Sequence, residues 1–177
     1  MKKLYIFSIL LIILFCNKIS SQTYSIFPKP IGYVNDFANL IDDNSEKIII
    51  ELCKNIKKNG SVEIVVCTID SIPLVKEEYK NEMLYATDLF NNWGIGEKNK
   101  DNGLLIFISK KDRKAVISNG NFTQYVLTDS TLDRILDKTI IPYFKKGNYG
   151  LGIIEGIKVI EYEIDKNNKV MYPENHK

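Results

Sequence analysis

The stretch Leu104-Leu105-Ile106-Phe107-Ile108-Ser109 constrains this chain more than any other. It follows directly on an acidic turn, Asp101-Asn102-Gly103. A continuous apolar run bounded by turn residues fits a strand buried on both faces. Lys110-Lys111-Asp112-Arg113 then reads as a turn, and Lys114-Ala115-Val116-Ile117-Ser118 as a returning strand ended by Gly120. Such a hairpin puts Asp101 and the Asn119-Gly120 loop at one edge of the sheet. That edge is the first candidate for a functional site.

The rest of the chain supplies elements of the alternating kind. Val62 to Ile69 is rich in β-branched residues and reads as a strand. Before it, Ser45 to Lys57 carries Ile48, Ile49, Leu52, Cys53 and Ile56 at the spacing of an amphipathic helix. Asp42, Asp43 or Asn44 can cap that helix, and Lys57-Lys58-Asn59-Gly60 closes it. Pro73 to about Asn92 holds a second helix, and Asn91 to Gly96 a loop. Thr128 or Asp129 caps a third helix whose apolar side is Leu132, Ile135, Leu136 and Ile140. Tyr143 to Tyr149 reads as a loop and Gly150 to about Ile164 as a fourth helix. Gly150, Gly152 and Gly156 either weaken that helix or allow close packing. The alternation of helices and buried strands predicts a layered α/β domain. A helical crossover between the two strongest strands predicts that they are parallel.

Length permits one domain with a real core, since the chain has 177 residues. The predicted organisation is a signal peptide over 1–22, an extended linker over 23–30, the folded domain over 31–164 and a polar tail over 165–177. Lys2 and Lys3 precede an apolar run from Leu4 to Phe15, and Asn17 to Gln22 is polar with small residues. This is the layout of a secretory signal. A twelve-residue helix spans about 18 Å, short of a hydrocarbon core of about 30 Å. The chain is therefore expected outside the cytoplasm, periplasmic or extracellular, with no membrane span once the signal is removed. Lipid attachment at Cys16 is the lesser alternative, because bulky Phe15 stands where a small residue is wanted. The signal holds Lys2, Lys3 and Lys18; 24 basic residues less these three leave 21 against 22 acidic ones. Nothing in that balance points to nucleic acid.

Composition narrows the chemistry. The only histidine is His176, in the tail, so a Ser-His-Asp or Cys-His arrangement is not expected. Gly94-Ile95-Gly96 lacks the Lys-Ser/Thr of a phosphate loop. Cys53 and Cys67 sit among Ile, Val and Leu; a disulfide is open to them in an oxidising compartment, but two small buried thiols are preferred. What remains is carboxylate and carbonyl chemistry, which suits hard cations such as Ca²⁺ or Mg²⁺. Candidate ligands lie at loop–element junctions: Asp36, Asp70, Asp101, Asp112 and Asp129. Asp101 and Asp112 also make good turn residues and Asp129 a good helix cap, while Asp36 has no evident capping duty. Asp70 falls at the far end of its strand from Asp101. Trp93 reads as a lid on a core edge in preference to an exposed anchor. Lys57-Lys58 and Lys145-Lys146 read as solvated faces. Asn59-Gly60-Ser61 and Asn121-Phe122-Thr123 match the glycosylation pattern, a loose one.

Five segments together resemble the TPM domain family. They are Pro30 to Ile41, Tyr85 to Gly96, Lys100 to Leu105 with Lys111-Asp112-Arg113, Leu127-Thr128-Asp129, and Ile141 to Tyr149. The resemblance implies a sheet with helices on both faces. The expected fold is thus a three-layer α/β/α sandwich around a small mixed, mainly parallel sheet, Rossmann-like in kind. It also implies a secreted, periplasmic or membrane-attached setting, with a membrane or envelope protein complex as partner. Some members of the family bind divalent cations, and a thylakoid lumen member has weak acid phosphatase activity. Carried over by motif, Asp36, Asp101 and Asp129 are the expected cation ligands, with Asp112-Arg113 next.

One segment departs from the pattern. Where the family shows Gly-Tyr-Gly-x-Glu, this chain has Gly120-Asn121-Phe122-Thr123-Gln124. An amide can donate a carbonyl ligand but cannot act as general acid or base. The favoured expectation is a cation-binding accessory module of the cell envelope. The alternative is a metal-assisted phosphomonoesterase, with a cation on Asp101 and Asp129 and Arg113 as the anion contact.

Overall fold

Two strands, Val62-flanked and Gly103-started, sit at the centre of the molecule and explain its layers. The computed structural model describes residues 25–59 and 62–171. The expected signal peptide, Cys16, the last six residues with His176, and Gly60-Ser61 lie outside the described residues. The central strands are β2 (Glu63–Ile69) and β3 (Gly103–Ser109), parallel and in register from Glu63 opposite Gly103 to Ile69 opposite Ser109. β4 (Lys114–Asn119) returns antiparallel to β3, and β1 (Val34–Asp36) pairs parallel with β2 on the other side. Sheet order is β1-β2-β3-β4. Every residue of β3 is buried.

Side chains alternate between two cores, as strand geometry requires. Ile64, Val66, Leu104, Ile106 and Ile108 face one side, against α1 (Asp43–Lys58) and the C-terminal α6 (Tyr149–Met171). Val65, Cys67, Leu105 and Phe107 face the other, against α2 (Glu82–Trp93). α1 joins β1 to β2 and α2 joins β2 to β3, on opposite faces, although the strand order advances in one direction. The two crossovers therefore have opposite hands, and one is the uncommon left-handed kind.

The three-layer expectation and the parallel pairing hold; several boundaries do not. β1 was not predicted, because it is three residues long and two are polar. Asn35 is wholly buried there, and its side chain makes the bonds a longer edge strand would make. Oδ1 accepts from the Ile31 N–H at 2.7 Å, and Nδ2 donates to the Gly32 and Val66 carbonyls at 2.8 and 3.2 Å. The second helix does not start at Pro73. A 3₁₀ turn, Glu77–Lys80, seats Tyr79 in the core, and Asn81 then caps α2 by accepting from Met83 N–H at 2.9 Å. Residues 25–29 are neither helix nor strand, but the Phe27 ring packs tilted against Tyr85 with centroids 5.3 Å apart, and the Pro28 carbonyl accepts from the Trp93 indole at 2.8 Å. Half-buried Trp93 thus serves as a lid on this core.

A short helix, α3 (Asn121–Val126), stands where no helix was predicted. The third predicted helix is broken into α4 (Asp129–Ile135), a π turn (Leu136–Ile140) and α5 (Ile141–Phe144). Pro142 supplies the cause: it lacks an N–H and its ring clashes with a regular preceding turn. α6 outruns its predicted end at Ile164 and continues to Met171. Ile164 is buried, and the Asn167 side chain donates to the Val126 carbonyl at 2.5 Å. No helix among the described residues is long and apolar enough to cross a membrane.

Candidate functional site

The chain's polar junctions collect at two opposite edges of the sheet. At the carboxyl edge, β1 ends in Asp36, beside Thr68 of β2. The Asp36 carboxylate accepts from the backbone N–H of Leu40 at 2.9 Å and of Ile41 at 2.8 Å, and from the Thr68 hydroxyl. Buried Thr68 also accepts from the Ala38 N–H at 3.1 Å. Asp36 therefore does have a capping duty: it folds the loop that leads into α1. Asp112, in the β3–β4 turn, accepts from the Ser109 hydroxyl at 2.6 Å and the Ile72 N–H at 2.7 Å. Those two bonds, the hydroxyl's first, hold its carboxyl below the usual aspartate range. Asp70 pairs with Lys111 at 3.1 Å.

At the amino edge stands Asp101, with φ of 51°. The hairpin brings Gly120 against it, as predicted. A Cβ on Gly120 would lie 2.2 Å from the Asp101 carbonyl oxygen. Asp101 Oδ2 accepts from the Asn121 N–H at 3.0 Å. Thr123 is buried and donates to the Gly103 carbonyl at 3.1 Å, while Gln124 is exposed. Asp129 is the first residue of α4, and Thr128 is the cap, accepting from the Thr131 N–H. An acidic residue in that turn complements the helix dipole.

Asp36 and Asp101 cannot hold one ion. Asp36 lies level with Thr68, and Thr68 with Ile108, whereas Asp101 precedes Gly103. Gly103 to Ile108 is about 17 Å of strand, and Ca²⁺ ligands sit at roughly 2.3–2.6 Å. The expected set of Asp36, Asp101 and Asp129 is thus divided: Asp36 stands at the edge opposite Asp101, while Asp129 follows Leu127, whose carbonyl accepts from the side chain of Asn119 at 3.3 Å at the Asp101 end of β4. Among the described residues no three His, Cys, Asp or Glu side chains gather to hold a metal. Arg113 sits in the β3–β4 turn, at the edge away from Asp101. The anion contact and the cation ligands of the phosphatase reading are therefore separated by the whole of β3, about 20 Å.

Neither cysteine among the described residues offers a nucleophile. Cys53 and Cys67 are both free and buried, and burial pushes each thiol up to about 12. They lie in the cores on opposite sides of the sheet, so they do not pair with each other.

Sequence reasoning passed over a third grouping, in which Lys110, Arg113 and Lys145 meet the rings of Phe144 and Tyr149 in one cleft. The only sequence signal was two basic pairs, each read as a solvated face or a turn. Their convergence depends on the π turn and on how α5 packs, which no local pattern reveals.

Fold and edges together define a small three-layer α/β domain, with its polar loops at the two ends of a mixed sheet. The sequence pattern of the TPM domain matches residues 34–163, and the chain belongs to that family. Among solved structures it is similar to the N-terminal domain of a Porphyromonas protein ("P.gingivalis"), with 28% identity and a TM-score of 0.67 over 76% of this chain and 82% of that one. It is also similar to the BA42 protein of the psychrophilic bacterium Bizionia argentinensis, with 25% identity and a TM-score of 0.58 over 72% and 83%. The N-terminal domain of a Corynebacterium glutamicum protein, 15% identical, shares the fold at a TM-score of 0.58 over 81% and 83%. No curated protein matches.

Proposed function

We propose that this TPM-domain chain is an exported accessory module of the cell envelope that binds and does not turn over substrate. The observation that supports this best is the division of its polar residues between two edges. A phosphomonoesterase needs the cation and the anion contact at one phosphoryl group. Asp101 precedes Gly103 at one edge, and Arg113 precedes Lys114, opposite Ser109, at the other. The carboxylate nearest Arg113, Asp112, is tied to Ser109 and Ile72. Export is supported by the basic start and apolar run of the first 22 residues. A divalent cation, Ca²⁺ or Mg²⁺, would have Asp101 and Asp129 as its carboxylates, with backbone carbonyls completing the shell.

The test is hydrolysis of p-nitrophenyl phosphate between pH 4 and 8, with and without Ca²⁺ or Mg²⁺. The expected rate equals that of buffer with the same metal. Turnover that disappears in Asp101→Ala but survives in Asp36→Ala would overturn the reading in favour of a phosphatase.

A further inference from the structure

The cleft at the carboxyl edge, beside the β3–β4 turn, has the make-up of a ligand site. Its volume is about 540 Å³, inside the range of roughly 300–1,000 Å³ that small-molecule sites occupy. It opens at the carboxyl end of β3 and the start of antiparallel β4.

Floor and rim differ in chemistry. Ile108 and Ala115 of the sheet, with Ile141 of α5, make the floor. The rings of Phe144 and Tyr149 wall it, 4.8 Å apart and tilted by 36°. Lys110, Arg113 and Lys145 make the rim, and no carboxylate lines the cleft. Lys110 is steadied by donating to the Ala38 carbonyl at 3.0 Å. The other cations here are occupied: Lys111, outside the cleft, by Asp70, and Lys114, which also lines it, by Glu82, each at 3.1 Å. Arg113 and Lys145 have no acidic partner among the described residues. Asp112, the one acid of this turn, is held on Ile72 and Ser109 and lines a separate hollow with Tyr79 and Glu82.

The wall is placed by the fold. Gly152 of α6 lets α5 lie close, since a Cβ there would be 3.0 Å from Phe144 Cε1 and 2.9 Å from Tyr143 Cβ. The π turn leads directly into α5, and such turns are frequent at functional sites.

We infer that this cleft binds a small organic anion with an apolar or aromatic body, its charge on Arg113 and Lys145 and its body on Ile141, Phe144 and Tyr149. An apolar floor without cations would take a neutral ligand. Cations without a floor would take a bare inorganic ion. The combination selects a molecule that has both parts. This goes beyond the accessory role and does not depend on it.

The test is a titration of the protein's amide NMR spectrum with three probes: naphthalene-1-sulfonate, its neutral sulfonamide, and inorganic sulfate. Naphthalene-1-sulfonate is expected to bind one to one, with shifts confined to residues 108–115 and 141–149. The sulfonamide and sulfate are each expected to bind at least tenfold more weakly. Arg113→Glu with Lys145→Glu is expected to raise the sulfonate Kd at least tenfold, while Lys54→Glu on α1 leaves it unchanged. Shifts elsewhere, equal binding of the three probes, or no saturable binding would each overturn the site. The probe series uses the unaltered chain, so it decides the matter even if the double variant is unstable.

Discussion

The Asp101 carboxylate accepts the backbone N–H of Asn121 at 3.0 Å, across a separation of twenty residues. The bond caps a helix whose own cap residue, Gly120, has no side chain to offer. A residue that sequence put forward as a metal ligand thus also serves as a borrowed helix cap. Replacing it tests that role separately from any ion. Asp101→Ala is expected to lower stability by about 1 kcal/mol, the usual cost of losing a side-chain cap. It also places alanine at a φ of 51°, which alanine disfavours. Asp101→Asn keeps an acceptor and tolerates that φ, so it should recover most of the loss. Urea unfolding in metal-free buffer measures both. Equal stability of the alanine variant and the native chain would show that the bond to Asn121 carries no structural load.

Gly120 is the other half of that contact. A methyl group at this position would meet the Asp101 carbonyl oxygen at 2.2 Å, and backbone cannot swing aside as a side chain can. Gly120→Ala is expected to cost about 1–3 kcal/mol, the range for forced overpacking. The hairpin edge should loosen with it, seen as faster amide exchange at Gly103 and Thr123.

What was legible follows from the range of the forces involved. Leu104 to Ile108 and Val62 to Ile69 announced themselves because a strand buried on both faces is dominated by apolar and β-branched residues. The helix at Asp43–Lys58 showed its apolar stripe and its cap. α3 was illegible because its cap comes from Asp101 and not from a neighbour. β1 was illegible because Asn35 looks like a loop residue until its bonds to Gly32 and Val66 are seen. Each aspartate was correctly placed at a junction. Which of them share an edge depended on β1, whose register with β2 put Asp36 away from Asp101. The basic cleft was hidden for the same reason: Arg113 and Lys145 are thirty-two positions apart in sequence and meet only through the packing of α5.

Asp112 should make stability depend on acid. Its carboxyl is held below the ordinary value, about 3.9 in an unfolded chain, by the Ser109 hydroxyl and the Ile72 N–H. The unfolded state therefore takes up the proton first as pH falls. The contribution is whole above the unfolded value and drains away below it, toward the lower folded value. Asp112→Asn should flatten the fall in melting temperature between pH 5 and pH 3 relative to the native chain. An unchanged slope would show that other carboxylates carry the acid sensitivity.

Cys53 and Cys67 should be silent in the folded protein. Their thiols are pushed up to about 12, so almost no thiolate exists at neutral pH, and the sheet stands between them. A thiol-exchange reagent added at pH 8 is expected to label neither until urea unfolds the chain, when both react. Mass spectrometry of the chain purified without reductant should find no link between them. A cross-link there would require the sheet to open.

Gly156 offers the sharpest contrast between local preference and packing. In a helix interior, alanine is favoured over glycine by about 1 kcal/mol, so Gly156→Ala would stabilise α6 if nothing lay beside it. Here the added methyl would meet Ile140 Cγ1 and Cδ1 at 2.5 Å. Ile140 is fully buried and ends the π turn, so it has little freedom to retreat. Overpacking of about 1–3 kcal/mol should outweigh the helix gain and leave a net loss of about 1 kcal/mol or more. Ile140→Ala alone creates a cavity at about 2–5 kcal/mol. The two together should cost less than their sum, because the alanine at 156 fills space the isoleucine vacates. A double-mutant cycle by chemical unfolding measures this coupling. Simple additivity would mean that α6 and the π turn do not press on each other, and that the glycines of α6 are there for some reason other than close packing.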